Sequence, residues 1–315
     1  MTRPDVLAAA RLAPYYAEGL ARDYALHDRV HELDAAAFAT LAPRIRAVAA
    51  SGDSRVDADL IAQLPALEFI AVMGVGYDGV DVAAAKARGV KVSHTPGVLD
   101  DDVADLALAL MLAVARRIPQ ADRYVRDGRW SDGPMPLARK LTGARLGLVG
   151  MGRIGQAIAL RAQALRMPIA YTARSAKPAL PYTYYPNARD LAAESDFLVV
   201  ITPGGAGTRH LIDADVLAAL GPQGCLVNVA RGSVVDEAAL VQAIADGAIA
   251  GAGLDVFADE PRVPEVLRRS DAVVLTPHIG SATADTRRAM AELALANLRA
   301  HFAGAAPPSL VPECR

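Results

Sequence analysis

Midway along the chain stands the stretch RLGLVGMGRIG, residues 145–155, in which a short apolar strand pattern runs directly into a Gly-x-Gly-x-x-Gly loop. The apolar periodicity that follows predicts a helix over residues 154–165. Free backbone N–H groups at such a strand-to-helix turn bind phosphate, and glycine lets the pyrophosphate approach the backbone. The stretch therefore predicts a dinucleotide-binding loop, whose cofactor contacts are Gly150, Gly152, Arg153, Ile154 and Gly155.

Short apolar runs alternate with helical patterns on both sides of this loop. Strands are predicted upstream at 6–10, 25–30, 45–49, 67–73 and 91–93, and downstream at 145–150, 168–172, 197–201, 225–229, 251–256 and 272–275. This alternation predicts an α/β fold with parallel sheets covered by helices. We expect two doubly wound parallel-sheet domains: a substrate domain over 1–98 and a cofactor domain over 99–285. A helix ends the folded part near Phe302, and the Pro-rich tail after Gly304 need not be ordered.

Composition narrows the class of protein. The chain has 33 Lys and Arg against 35 Asp and Glu, and 53% of its 315 residues are hydrophobic. Mixed charge without a basic stripe argues against nucleic-acid binding. The most apolar helix, 103–115, is too short to span a bilayer and contains Asp105. Two cysteines cannot staple a fold of this size, and no cysteine–histidine cluster has metal-ligand spacing. We expect a cytoplasmic protein that binds no metal, nucleic acid or membrane.

The segment after the second strand of the cofactor domain indicates which dinucleotide binds. NAD enzymes usually carry an acidic residue there, which binds both ribose hydroxyls. This chain has Ala173 instead, followed by Arg174, Ser175 and Lys177. Guanidinium, hydroxyl and ammonium groups together suit a 2′-phosphate, so NADPH is expected to be preferred over NADH. The alternative is a solvated loop with ordinary surface cations.

Three residues near later strand ends suggest a catalytic set: Arg231, Glu260 and His278. An Arg at the carboxyl edge of a sheet can bind a carboxylate with two hydrogen bonds. Histidine is the usual proton donor near neutral pH, and a carboxylate partner favours its charged form. Each residue alone has a bland alternative, a surface ion pair, a turn or a structural histidine. Their order behind a dinucleotide loop indicates a 2-hydroxy-acid dehydrogenase, in which Asp255 accepts a hydrogen bond from the nicotinamide carboxamide.

Further motifs extend over nearly the whole chain, at residues 74–78, 95–99, 228–232, 253–257 and 275–278. With the glycine loop, they resemble the D-isomer-specific 2-hydroxyacid dehydrogenase family. Residues 171–175 and 204–208 are similar to its NADP-preferring glyoxylate, hydroxypyruvate and hydroxyphenylpyruvate reductases. The resemblance implies a Rossmann cofactor domain inserted in a flavodoxin-like substrate domain, an active site in the cleft and a homodimer formed by long helices. It also implies that residues 286–315 return to the substrate domain.

The resemblance also implies further site residues. The backbone N–H groups of Val75 and Gly76 would bind the substrate carboxylate opposite Arg231, and His278 would contact substrate and cofactor. Further cofactor contacts would be Val103, Thr202, Pro203, Val229, Ala230, Arg231 and Gly280. The chain departs from the family at His94, where relatives often have Asn; the role of this second titratable group stays open. The segment 134–137, near Trp130, is expected close to the substrate mouth, either of the same subunit or of the other one.

The predicted function is NADPH-dependent reduction of a small 2-keto acid to the D-2-hydroxy acid. Hydroxypyruvate, glyoxylate and aryl pyruvates stay open as substrates, because such a pocket discriminates by a few side-chain contacts. Two alternatives remain: a formate- or phosphite-type dehydrogenase, and a non-catalytic dinucleotide-sensing protein such as the corepressors that use this fold.

Overall fold

The computed structural model describes residues 3–52 and 54–315, and it divides into two compact units. One unit runs up to Leu99 and takes up the chain again over Ser281–Arg315; the other spans Asp100–Gly280. The sequence placed these breaks at residues 98 and 285. The second break falls earlier because Thr283 is the N-cap of the last helix, so the turn before that helix belongs with it.

The strands form two parallel sheets. The first unit contains β1 (Asp5–Ala8), β2 (Ala25–Asp28), β3 (Ile45–Ser51), β4 (Phe69–Met73) and β5 (Lys91–Ser93), in the order β2-β1-β3-β4-β5. The second contains β6 (Leu146–Val149), β7 (Ile169–Thr172), β8 (Thr183–Tyr184), β9 (Phe197–Val200), β10 (Cys225–Asn228), β11 (Gly251–Leu254) and β12 (Val273–Leu275), in the order β12-β11-β10-β9-β6-β7-β8. The first order is flavodoxin-like and the second is that of a Rossmann domain, so the expected α/β class with two doubly wound sheets is confirmed.

Helices cover both sheets. Along the described chain they are α1 (Pro14–Asp23), α2 (Val30–Leu33), α3 (Ala35–Leu41), α4 (Ala58–Ala62), α5 (Val82–Ala87), α6 (Asp100–Arg116), α7 (Ile118–Arg126), α8 (Arg153–Ala164), α9 (Ala188–Ala193), α10 (Ala214–Leu220), α11 (Glu237–Ala245), α12 (Glu265–Arg269) and α13 (Ala284–Phe302). Several begin where an Asp accepts a hydrogen bond from the first turn, as Asp57 does from Leu60 and Asp213 from Val216. Strands β4, β9, β10 and β11 are buried at every residue, which explains their unbroken apolar runs. None of the helices in the described ranges is long and apolar enough to cross a membrane.

Strand β8 and helix α7 are two of the elements that are not predicted from the sequence. Strand β8 has only two residues, too few for alternation to be visible. Helix α7 carries a mixed polar sequence, IPQADRYVR, in which one buried residue, Gln120, donates to the carbonyl of Asp271. This hydrogen bond ties the helix to the turn before β12.

The expectation that the tail after Gly304 need not be ordered is wrong. Val311 is fully buried, and its N–H donates to the carbonyl of Val92 at 3.0 Å. Leu310 forms a β-bridge with Ser93, so the tail lies along the edge strand β5 and covers it. A Pro-rich composition lowers helix and strand propensity, but buried apolar side chains still order the segment.

We predict that Val311→Ala destabilises the protein by about 2 kcal/mol, because two buried methyl groups are lost and a cavity remains. Urea unfolding would measure the change. Val266→Ala is the matched control: Val266 is 43% exposed, so the same chemical change should alter stability by less than about 0.5 kcal/mol. Equal effects of the two substitutions would contradict the packing of the tail.

Candidate active site

The glycine loop lies where the order of the seven-stranded sheet reverses, between β6 and β9. Gly150 has φ +112°, and a Cβ there would lie 2.7 Å from the carbonyl oxygen of Ile201. A Cβ on Gly155 would lie 2.3 Å from the carbonyl oxygen of Gly150. Both glycines are therefore required by close approach of the backbone. In parallel α/β sheets this reversal is the usual ligand-binding crevice.

The loop fits a dinucleotide pyrophosphate. Helix α8 begins at Arg153, and its N-cap, Gly152, provides no side chain to satisfy the first-turn N–H groups. A Cβ on Gly152 would meet nothing within 4 Å, so open space lies in front of these donors. Unsatisfied N–H groups and the positive end of the helix dipole favour an anion at this position. The half-buried Ile154 and the exposed Arg153 flank it.

The segment after β7 presents cations to solvent. Arg174, Ser175 and Lys177 are exposed, whereas Ala173, at the strand end, is half-buried. The phenol of the buried Tyr171 accepts a hydrogen bond from the Lys177 N–H at 2.6 Å, which folds the segment back on the strand. Among the described carboxylates, none forms an ion pair with Arg174 or Lys177. Two exposed cations, a hydroxyl and no acid at the strand end fit a 2′-phosphate.

Glu260 and His278 form a hydrogen-bonded pair, with Oε2 2.7 Å from Nδ1. The other oxygen of Glu260 accepts the N–H of Phe257 at 3.0 Å, which orients the carboxylate. The His278 side chain is 40% exposed, so its ring can exchange protons with solvent. Because a carboxylate only accepts, Nδ1 carries a proton and Nε2 is left for the substrate.

Electrostatics favour the charged form of both partners. The hydrogen bond to Glu260 raises the pKa of His278 above its ordinary value, although burial and the nearby Arg231 oppose this. Burial alone would raise the pKa of Glu260, but the hydrogen bonds from His278 and Phe257 and the charge of Arg231 lower it. The pair therefore holds an imidazolium near neutral pH.

Arg231 follows β10, and its loop packs directly against the loop that carries Glu260. A Cβ on the next residue, Gly232, would lie 1.9 Å from the carbonyl carbon and oxygen of Phe257. Asn228 braces the turn: its amide donates to the carbonyl of Arg231 and accepts the N–H of Ala230. Arg231 is half-buried, and its charge acts on both Glu260 and His278. The structure thus brings the three expected catalytic residues together.

Asp255 has a structural role that the sequence did not reveal. It is 2% exposed, and its two carboxylate oxygens accept from Thr276 Oγ1 at 2.7 Å and from the N–H groups of Ile279 and Gly280, both at 2.8 Å. Its carbonyl accepts the N–H of His278 at 2.9 Å. Burial raises the pKa of Asp255, against the lowering effect of these donors. The residue therefore fixes the segment that carries His278; acceptance from a nicotinamide carboxamide stays a prediction.

The remaining expected contacts occupy neighbouring places along the same sheet edge. Gly280 and Val103 are adjacent, since a Cβ on Gly280 would lie 3.4 Å from Val103 Cγ2. The other four follow strand ends: Thr202 and Pro203 after β9, and Val229 and Ala230 after β10. In the other unit, Val75 and Gly76 are half-buried and follow β4.

Comparison with known proteins places this geometry in a family. The model of the "D-isomer specific 2-hydroxyacid dehydrogenase, NAD binding domain" matches residues 108–280. A hydroxyphenylpyruvate reductase of Plectranthus scutellarioides is 50% identical over 275 residues, 87% of each chain. A glyoxylate/hydroxypyruvate reductase A of Arabidopsis thaliana is 49% identical over 260 residues, which are 82% of this chain and 83% of that one.

A solved structure of similar fold supports the same family. It is an NADPH-dependent glyoxylate/hydroxypyruvate reductase from Sinorhizobium meliloti in complex with NADP and malonate. Its TM-score is 0.94 at 44% identity, and the match covers 99% of this chain and 98% of that one. The family expected from the sequence motifs is confirmed: this chain belongs to the D-isomer-specific 2-hydroxyacid dehydrogenases, a family of NAD(P)-dependent oxidoreductases.

Proposed function

We propose that the protein reduces a small 2-keto acid of the glyoxylate or hydroxypyruvate type, with NADPH, to the D-2-hydroxy acid. The 2.7 Å pair of Glu260 and His278 beside Arg231 carries this proposal, because it supplies a proton donor next to a carboxylate-binding cation. The names of the relatives, reductases of glyoxylate, hydroxypyruvate and hydroxyphenylpyruvate, support the substrate class.

NADPH, when bound at the glycine loop, would supply the hydride that the carbonyl carbon of the keto acid needs. His278 protonates the carbonyl oxygen from Nε2, so the alkoxide never accumulates, and the neutral imidazole regains its proton from solvent. Glu260 holds the ring by Nδ1 and stabilises its charged form. Arg231 binds the substrate carboxylate and polarises the adjacent carbonyl, with the backbone N–H groups of Val75 and Gly76 as further donors.

The preference for NADPH rests on the segment after β7. An acidic side chain at residue 173 would repel a 2′-phosphate, and this chain has alanine there. Arg174, Ser175 and Lys177 are exposed, and the described residues offer neither cation a carboxylate partner. Pairing with a phosphate therefore costs no existing ion pair. The NADP bound in the Sinorhizobium meliloti reductase supports the same choice.

We further propose a cytoplasmic homodimer. Within residues 3–52 and 54–315, half of the ten exposed large hydrophobic residues fall between residues 112 and 137; they are Leu112, Ile118, Val125, Trp130 and Leu137. Such a concentration favours burial against a second copy of the chain. Light scattering should give twice the chain mass of 32.9 kDa, and a monomer at micromolar concentration would contradict the dimer.

Steady-state turnover tests the proposed reaction and its proton donor. NADPH oxidation should be fast with glyoxylate or hydroxypyruvate, and His278→Ala should lower kcat by about 10²- to 10⁴-fold. NADPH binding, followed by fluorescence titration, should weaken far less than turnover. Near-normal turnover by the variant would remove His278 as the proton donor. Tight cofactor binding by the wild type without turnover of any keto acid would favour the sensing protein instead.

The pH dependence of kcat tests the role of Glu260. Reduction needs protonated His278, so kcat falls as pH rises through its pKa, which Glu260 raises. Glu260→Gln removes the carboxylate, and the fall should therefore move to lower pH. Asp259→Asn is the matched control, because it removes the same charge from the same loop. Asp259 pairs with Arg262 at 2.6 Å and not with His278. A profile that shifts equally in both variants would contradict the specific role of Glu260.

A substitution at residue 173 tests the preference for NADPH over NADH. Ala173→Asp should shift preference toward NADH, because the carboxylate would bind ribose hydroxyls and repel a 2′-phosphate. The ratio of kcat/KM for the two cofactors measures this. Ala176→Asp, in the same exposed segment, adds the same charge without a place at the strand end. It should weaken NADPH use without improving NADH use; an unchanged ratio in Ala173→Asp would overturn the assignment.

A further inference from the structure

We propose that His94 is a positioning residue that sets the direction of the Gly76 N–H toward the substrate carboxylate. Its Nδ1 lies 3.0 Å from the carbonyl oxygen of Val75. A carbonyl only accepts, so Nδ1 carries the proton and donates. The inference rests on the proposed function, which uses the Val75 and Gly76 backbone as carboxylate donors.

The geometry of the peptide bond turns this contact into control of a donor. Among the described residues only the Glu260–Pro261 peptide bond is cis, so the bond between Val75 and Gly76 is trans. In a trans peptide the C=O and the N–H point in opposite directions within one plane. A hydrogen bond that holds the carbonyl of Val75 on one side therefore aims the N–H of Gly76 at the other side.

His94 is itself held firmly. It is 8% exposed, its N–H donates to the carbonyl of Ser309 at 3.1 Å, and its carbonyl accepts Ser309 Oγ at 2.7 Å. Ser309 is in turn bound by the fully buried Asn297 of α13, through two hydrogen bonds of 2.8 Å. The ring of Tyr77 packs edge-on against the imidazole at 5.3 Å. Such a buried, fully braced donor defines the position of its acceptor.

The neighbouring carbonyls of this loop bond to backbone groups instead. The carbonyl of Gly74 accepts the N–H of Thr95 at 2.8 Å, and that of Tyr77 accepts the N–H of Val80 at 3.0 Å. A substitution at His94 therefore releases the Val75–Gly76 peptide, which bears one of the two proposed donors, while its flanking bonds persist. The loop keeps its course, and the orientation of a single N–H changes.

Asparagine offers a substitution for His94 that keeps the donor. The Nδ2 of an asparagine is separated from Cα by the same number of bonds as the Nδ1 of a histidine, and both groups donate. Asparagine at this position would supply the same hydrogen bond to the carbonyl of residue 75. The shared property is the donor, and the titratable second nitrogen of His94 is not required.

Two nearly isosteric variants test the inference: His94→Leu removes the donor, and His94→Asn keeps it. We expect His94→Leu to raise the KM for glyoxylate or hydroxypyruvate about tenfold, the effect of one misdirected hydrogen bond. The inhibition constant of malonate, a dicarboxylate probe, should rise in parallel. The KM for NADPH should change less than about twofold, and His94→Asn should stay close to wild type.

An unchanged KM in His94→Leu, or equal rises in the Leu and Asn variants, would overturn the role of His94. If His94→Leu does not fold, Ser309→Ala provides the test, because it removes the donor to the His94 carbonyl and leaves the backbone bonds. A rise confined to the keto-acid KM supports the inference, and no rise refutes it. Wild-type enzyme that turns over no keto acid refutes the proposed function itself, which is a different result.

Discussion

The buried carboxylate of Asp255 is the constraint on which the proton-donor segment depends. It lies at the end of β11, and its oxygens accept from Thr276, Ile279 and Gly280. The backbone of His278, enclosed by these contacts, has φ 53°, a left-handed conformation that costs a non-glycine residue roughly 1–2 kcal/mol. Such a conformation persists where surrounding bonds define it. Without Asp255, the ring of His278 would lose the backbone geometry that delivers it to Glu260.

The topology of the parallel sheet brings the remaining site residues together. Parallel strands end at one edge, so residues far apart in the chain meet there with no sequence signal of their own. Arg231 follows β10 and Glu260 lies in the loop after β11, yet Gly232 brings the two loops to contact at Phe257. The two units have the two strand orders expected of a doubly wound fold. The chemistry therefore depends on strand order, whereas specificity depends on what the loops carry.

Most of the strands and the strand-end positions of Arg231 and His278 could be predicted, because each produces a local pattern; the catalytic roles of these residues stay a prediction. A strand buried on both faces reads as an apolar run, and Gly150 and Gly155 are explained by the backbone they touch. The contacts of Asp255, the hydrogen bond from Lys177 to Tyr171 and the packing of Val311 could not be predicted. They join groups by three-dimensional proximity, and a polar or Pro-rich segment gives no periodicity from which to infer them. The role of His94 belongs to the same class, since its partner is a backbone carbonyl.

Two carboxylates near one imidazole are given opposite tasks by their surroundings. Burial raises the pKa of Asp255, whose oxygens bond to a hydroxyl and backbone N–H groups. The pKa of Glu260 is lowered, since it faces His278 and the charge of Arg231. Environments that shift the pKa values of neighbouring carboxyl groups in opposite directions give them different roles. Here one carboxylate holds the backbone, and the other stabilises the charge of the imidazolium. Oxidation of formate needs no proton donor, so an ionised Glu260 maintaining an imidazolium would have no task there. Reduction of a carbonyl uses both members of the pair, and this favours a keto acid as the substrate.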